Sequence, residues 1–430
     1  MRVAYLLDIK FVREYPGTIK KDLLKRNDSE KLGWVDDLLA TDKRVRELKA
    51  EIDQLRQRRN TISREINTGR KAGHDTSALL AEAKALPEKI KELDSVKDAA
   101  EEKVRYYLMR LPNILDETVP VGDDESHNVE IRRVGTIRDF SFPIKNHGQL
   151  AVEKGWADFE RAARASGTGF NYLKGNLALL DMALQRYAID LLVKKGFTPV
   201  IPPYMMNRSS YEGVTDLSDF EDVMYKIEDS ESYLIATSEH PLCAMYQDEI
   251  FEEKSLPLKL AGISPCFRKE IGSHGIDTKG LFRVHQFHKV EQFIFCKPDD
   301  SPRFHEELLA NAEELYTNLG LPYHVVLICT GDIGTVAAKK YDIEVWMPRE
   351  EAYREVVSCS NCTSYQAVRL GMRMRDPDDF EMKYHIHTLN STEVATSRTI
   401  RAILENYQYE DGSVGIPTVL RPYMNDQEFL

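Results

Sequence analysis

Between Glu30 and Leu111 the chain is densely charged and has almost no turn-forming residues except at Gly69 to Asp75. Apolar residues recur at three- and four-residue steps. Leu38, Val45, Leu48, Ile52, Leu55, Ile62 and Ile66 precede the turn, with Thr41 and Arg59 as polar interruptions. Leu79, Ala83, Leu86, Ile90, Leu93, Val96, Ala100, Val104, Tyr107 and Leu111 follow it. That period gives each of two long helices one narrow apolar seam, which a second seam can bury. An antiparallel coiled-coil hairpin is expected, about 50 Å long at the helical rise. Pro87 lacks a backbone donor and should kink or open the second helix. Arg56, Arg58, Arg59, Arg64, Arg70 and Lys71 crowd the distal half. On a bare sequence such a hairpin is a structural or dimerising element with solvated charged flanks.

The 430 residues exceed what one core usually supports, so two domains are expected. Pro112 to Pro120 (PNILDETVP) reads as a linker and divides residues 1–112 from 113–430. A net charge of -12 argues against indiscriminate polyanion binding. It leaves room for a nucleic acid held by a local basic patch, because fields are screened beyond roughly 10 Å. No apolar run approaches the roughly 20 residues that span a bilayer, so no membrane partner is expected. The apolar start, Met1 to Leu7, is short for a signal peptide and runs into Asp8. Six cysteines scattered from Cys243 to Cys362 suggest a reducing, cytoplasmic setting. Cys359 and Cys362 form a lone Cys-x-x-Cys without the second pair of a structural zinc site, and two reduced thiols are expected.

Beyond the linker, helical patterns (Leu177 to Lys195, Pro302 to Leu319) alternate irregularly with strand-like runs. The strands are expected at Phe293 to Cys296, His324 to Cys329, Asp342 to Trp346 and Tyr353 to Ser358. There is no regular βαβ repeat and no Gly-x-Gly-x-x-Gly or Walker-type loop, so neither a Rossmann nor a P-loop site is expected. The pattern alone supports an α+β class. Its most informative stretch runs from Cys266 to Phe293 (CFRKEIGSHGIDTKGLFRVHQFHKVEQF). A Gly-rich loop, Ile271 to Gly280, separates two strand-like segments, as in a long-tipped β-hairpin. Strand alternation puts Arg268 and Glu270 on one face, and Arg283, His285, Phe287, Lys289 and Glu291 on one face of the second strand. Arginines suit phosphate, a ring suits a base and carboxylates suit an amine, which together describe a site for a nucleotide beside an amino acid.

Arg268-Lys-Glu270, the Gly-rich loop and Phe282 to Glu291 (FRVHQFHKVE) resemble motif 2 of the class II aminoacyl-tRNA synthetases, and of the seryl-tRNA synthetases in particular. Four further segments agree in order. Gly196 to Tyr204 (GFTPVIPPY) is similar to motif 1, a helix-then-strand element at a dimer interface, with Pro203 as its proline. Thr237-Ser238-Glu239 stands at the family's serine-contacting loop, Glu355 to Asn361 (EVVSCSN) at its metal and ATP strand, and Asn390 to Arg398 (NSTEVATSR) at motif 3.

The resemblance implies a mostly antiparallel sheet flanked by helices behind a tRNA-binding helical arm. It implies a homodimeric serine–tRNA ligase that forms seryl-adenylate from serine and ATP and passes the seryl group to tRNA(Ser), with tRNA(Sec) an open second acceptor. Serine would be bound by Thr237, Ser238, Glu239, Arg268, Glu291, Asn390 and Thr392. ATP would be bound by Arg268, Lys269, Glu270, Arg283, Val284, Phe287, Glu355, Val356, Val357, Ser358 and Arg398. In this scheme Arg268 holds the α-phosphate and the attacking carboxylate, while Phe287 and Arg398 cover the two faces of adenine. Mg2+ falls to Glu355 and Ser358, whose odd separation allows one ion only at a strand end or bulge. Phosphates of the tRNA would meet Arg56, Arg59, Arg64, Arg70 and Lys71 of the arm. His240 and Glu393 depart from the family's pattern, the first replacing a small apolar residue and the second a glycine or alanine.

Two other readings compete. A ligase acting on a carrier protein has no use for a long arm, and a non-catalytic RNA-binding paralogue would be expected to lack some of Arg268, Arg283, Glu291, Glu355 and Arg398.

Overall fold

A computed structural model describes residues 8–217, 221–270, 280–376 and 383–430. They form two compact units, one ending at Leu111 and one spanning Pro112–Leu430. Most of the expected hairpin tip, 271–279, lies outside the described residues.

The first unit is helical. Two short helices that the sequence reading did not include, α1 (Ile9–Glu14) and α2 (Pro16–Lys25), precede α3 (Ser29–Lys71) and α4 (Ser77–Arg110). Asp28 caps α3 by accepting from the backbone N–H of Lys31. At 43 residues α3 is about 65 Å long. Leu38, Val45, Leu48, Ile52, Ile62 and Ile66 are buried along it, as their spacing predicts. On α4 the seam differs from the expected one at a single point: Val96 is half exposed. The buried side passes through Ile90, Leu93, Lys97, Ala100, Val104 and Tyr107, alternating three- and four-residue steps. Two successive steps of three would rotate the seam off the partner helix. Lys97 fills the vacated slot by burying its stem and placing Nζ 3.1 Å from Asp94. The helix α4 runs unbroken through Pro87.

The second unit is built on an eight-stranded sheet. Its strands are β1 (Val129–Val134), β2 (Thr198–Val200), β3 (Leu258–Phe267), β4 (Gln286–Cys296), β5 (Tyr323–Leu327), β6 (Lys339–Met347), β7 (Ala352–Thr363) and β8 (His387–Ala395). Their order is β1-β5-β6-β7-β8-β4-β3-β2, antiparallel except for the edge pair β2–β3. Helices Asn176–Lys194, Ser301–Asn318 and Thr396–Asn406 cover one face and bury a large aliphatic core with Val290, Ile294, Val357 and Val394. The opposite face carries a smaller core around Phe293, Phe295, Tyr233 and Leu242, and beside it a polar cavity. No helix among the described residues is long and apolar enough to cross a membrane.

The stretch read as a linker is packed. Ile114, Leu115 and Val119 are buried, the last two in a cluster with Val326 and Ile328. The Asn113 amide, itself buried, donates to the carbonyls of Val336 and Cys362 at 2.9 and 2.8 Å. One buried amide thus satisfies backbone groups that irregular structure would leave unpaired. Replacing Asn113 with Ala should destabilise the Pro112–Leu430 unit by about 1–3 kcal/mol, read as an earlier urea transition of that unit.

Candidate functional site

Antiparallel register assembles the cavity. Thr392 on β8 lies opposite Glu291 on β4, Asn390 opposite Ser360 on β7, and Ser358 opposite Asp342 on β6. Cross-strand partners share a face. Phe287, Lys289 and Glu291, two residues apart on β4, therefore join Thr392, Asn390 and Ser358 above one side of the sheet. The cavity they line is about 470 Å3.

One end of it is acidic. A short helix, Glu239–Ala244, lies against β3 where Gly262 leaves no room for a Cβ, which would meet Ser238 Oγ at 2.6 Å. Glu239, at its first turn, accepts from the Asn390 amide at 3.0 Å and the Gln366 amide at 3.3 Å. Thr237 lies 3.5 Å from Glu291 and accepts from the Glu239 backbone at 3.2 Å. Lys289 pairs with Glu291. Burial, followed by the charge of Glu291, pushes the Glu239 carboxyl up to about 7. His240 also lines the cavity; burial, with the cations Lys289 and Arg268 nearby, lowers its imidazole to about 3 and keeps it neutral.

The other end is cationic. Arg268 sits just past β3, its backbone donating to His285 and its guanidinium 5.4 Å from the Phe287 ring centroid. Its Nε donates to the Ala236 carbonyl at 3.3 Å, one residue before Thr237 of the acidic end, which sets it between the two ends. Arg398, in the first turn of helix Thr396–Asn406, lies 3.0 Å from the Glu355 carboxylate. That neighbour, outweighing desolvation, holds Glu355 below the usual carboxylate range, whereas burial raises Asp342. The spacing problem of Glu355 and Ser358 has a structural answer. Ile343 pairs with Val357 and Glu344 with Glu355, so Val356 is an extra residue in β7. This bulge shifts the alternation by one, and both Glu355 and Ser358 line the cavity.

Eleven expected site residues meet at this cavity: Thr237, Glu239, Arg268, Phe287, Glu291, Glu355, Val356, Ser358, Asn390, Thr392 and Arg398. Six do not line it. Ser238 and Val284 are buried, and Val357 belongs to the aliphatic core. Lys269 donates its backbone N–H to Val223, and Glu270 lies 3.9 Å from the half-exposed Arg283. The expected second strand began at Arg283, but β4 starts at Gln286, so the alternation does not reach Arg283 or His285. The His285 ring stacks on Phe170 and meets the Tyr225 hydroxyl. His288 bonds Asp181 at 2.8 Å away from the cavity.

Lys340 lines the cavity and was not anticipated. Its two-residue alternation with Asp342 was the available signal, but only pairing with β7 says which face looks into the site. Lys289 was placed on the right face by alternation but given no role. Glu393 is fully buried at a bulge between Thr392 and Val394, and it is absent from the cavity lining.

Two family models match the chain: a seryl-tRNA synthetase N-terminal domain over residues 6–115 and a class II tRNA synthetase core domain (G, H, P, S and T) over residues 224–407. The serine–tRNA ligase of Methanocella arvoryzae is 70% identical over 99% of this chain and its own full length. The chain belongs to the seryl-tRNA synthetase family. The seryl-tRNA synthetase of Pyrococcus horikoshii complexed with ATP superposes with a TM-score of 0.91 at 50% identity, covering 99% of both chains. A cytoplasmic serine–tRNA ligase from Naegleria fowleri in complex with AMP gives 0.86 at 34% identity, covering 98% of both.

Among the described residues both carboxylate oxygens of Glu393 lack a hydrogen-bond partner, and burial pushes its carboxyl well above the ordinary glutamate range. The folded chain binds this proton more tightly than the unfolded one, so its contribution to stability falls as pH rises past the ordinary glutamate value. Replacing Glu393 with Met should raise the melting temperature by a few degrees at pH 8 and by less at pH 5.

Proposed function

We propose that the chain is a serine–tRNA ligase that activates L-serine with ATP and transfers the seryl group to the 3′ end of tRNA(Ser), with tRNA(Sec) a second candidate acceptor. The observation that carries this reading is one cavity joining a hydrogen-bonded acidic end to a cationic, aromatic end. Glu239 and Glu291 offer carboxylates to an ammonium and a hydroxyl, and Thr392 and Asn390 add smaller polar partners. A site committed to hydrogen-bonding a hydroxyl rejects alanine, because its own buried groups would be left unpaired. Activation brings a carboxylate oxygen onto the α-phosphorus while pyrophosphate leaves. The protein's work is then positioning and neutralising charge. Arg268, between the two ends, suits the attacking carboxylate and the α-phosphate. Phe287 and Arg398 suit the adenine, and base–aromatic stacking contributes roughly 1–3 kcal/mol of binding.

Glu355 and Ser358 would hold Mg2+ through hard oxygens, and the bulge that turns both toward the cavity supports that pairing. Bound there, the ion would neutralise phosphate charge. The basic residues of the arm divide into two groups. Arg56 pairs with Asp94 and Arg58 with Glu82, which suits the hairpin's own stability. Arg59, Arg64, Arg70 and Lys71 are exposed and make no ion pair among the described residues. Arg59 with Arg70, and Arg64 with Lys71, fall within roughly 20° of each other around α3. Two short cationic rows of this kind suit a phosphate backbone. Exposed Ile201 and Tyr204, flanking Pro203 in sequence, suit a second copy of the chain, and the family's setting suits the cytoplasm.

ATP–pyrophosphate exchange should proceed with serine far above threonine, alanine, glycine or cysteine. Arg268→Ala should abolish it. Reversing Arg59, Arg64, Arg70 and Lys71 to Glu should leave exchange intact and cut tRNA charging at least tenfold, and equal loss of both would sink the arm assignment. Protonation of Glu239 removes a charge that serves the serine ammonium, so the KM for serine should climb as pH falls below about 7. Glu239→Gln should raise that KM at pH 8 and flatten its dependence on pH.

A further inference from the structure

The geometry points to His147 as a positioning residue for the ATP half of the site, acting through the return limb of the loop between β3 and β4 on Arg398. His147 opens the short helix His147–Glu153, whose cap is Asn146, accepting from Gly148 and Gln149. It is 1% exposed and lies outside every motif of the sequence reading. Its Nε2 accepts the backbone N–H of Leu281 at 3.2 Å, and its Nδ1 lies 3.1 Å from Glu405 Oε1. A ring that accepts at Nε2 must carry its proton on Nδ1 and donate it to Glu405, so the two bonds fix one neutral tautomer. Gly280, just before Leu281, has φ +138°, and a Cβ there would stand 2.3 Å from Nε2. Only glycine admits the ring at this point.

The next residue carries the effect toward the site. The Phe282 ring is covered by two guanidiniums, Arg401 at 4.6 Å and Arg398 at 5.3 Å from its centroid. Arg401 is almost wholly buried, donates to Glu405 at 2.9 Å and pairs with Glu350. Burial alone would raise Glu405, but the His147 and Arg401 bonds outweigh it and keep the carboxylate charged. His147 and Arg401 thus share one anion, Glu405, and grip consecutive residues, Leu281 by its backbone and Phe282 by its ring. Phe282 is the plate under Arg398, whose other contacts are the Glu355 carboxylate and carbonyl at 3.0 and 2.9 Å. Without the His147 bond the limb is free to shift, and with it the surface that aims Arg398. No part of this network contacts Glu239, Asn390 or Thr392 among the described residues, so the serine end should not feel it.

The inference rests on reading Arg398 as an ATP-binding residue, and serine-dependent ATP–pyrophosphate exchange on the full chain separates the two. His147→Asn keeps a donor toward Glu405 but loses the acceptor at the Nε2 position, whereas His147→Gln restores an acceptor there. The Asn variant should raise the KM for ATP at least tenfold with the KM for serine within twofold, and the Gln variant should stay within about threefold of the parent for both. An unchanged ATP KM in the Asn variant, or a parallel rise for serine and ATP, overturns the proposal. Should the Asn variant fail to fold, Phe282→Leu is read the same way: a selective rise in ATP KM supports the coupling and an unchanged one overturns it. Arg398→Ala, measured alongside, must itself raise the ATP KM. If it does not, the reading of Arg398 fails rather than the role of His147.

Discussion

Glu291, Asn390, Thr392, Ser358 and Lys340 come from four strands, and they look into one space only because β4, β8, β7 and β6 hold a single antiparallel register. A slip of one residue in any pair would send that strand's polar set into the aliphatic core and its valines into the cavity. The helices on the far face make such a slip expensive, because Val290, Ile294, Val357 and Val394 are fully desolvated there. At about 1.5–3 kcal/mol per buried aliphatic side chain, the core enforces the register that the site needs. Two of the three interruptions of register among these strands bear on the cavity. The bulge at Val356 turns Glu355 toward Ser358's side, and the bulge beside Thr392 leaves Glu393 out of the cavity lining.

Charge follows the same division. On the cavity side each carboxylate has a polar neighbour: Glu239 has two amides, Glu291 has Lys289 and Thr237, and Glu355 has Arg398. Burial, followed by the charge of Glu291, nonetheless pushes the Glu239 carboxyl up to about 7, against the opposing pull of Lys289 and the Gln366 amide. A substrate ammonium is the kind of group that would relieve both burdens. Glu393, facing away, has no hydrogen-bond partner among the described residues, and burial favours its neutral acid form.

Much of this was written in local sequence. The arm's seams follow from three- and four-residue steps; the exception is Val96, which is half exposed while the neighbouring lysine holds the slot. The stem of Lys97 packs well enough to hold the seam slot, a choice that composition does not reveal. Alternation from Phe287 to Glu291 placed three residues on the right face and then failed at Arg283, because strand ends are set by tertiary contacts such as His285 against Phe170. What local pattern could not supply was pairing across distance. The face of Lys340, the packing of Asn113 onto the Val336 and Cys362 carbonyls, and the meeting of His147 with Leu281 across more than a hundred residues all depend on topology.

The arm solves a different problem. A chain with net charge -12 repels a polyanion at long range, so any attraction must act within a Debye length of a local patch. A coiled coil creates such a patch only if its own acids do not consume it. On α3 the arginines that reach across to α4 are consumed, Arg56 by Asp94 and Arg58 by Glu82. Arg59, Arg64, Arg70 and Lys71 project toward solvent near the turn, where α4 offers Ala83, Leu86 and Leu79 rather than further acids to the seam. The same helix therefore spends some of its positive charge on holding the hairpin together and leaves the rest available, and the heptad position of each arginine decides which.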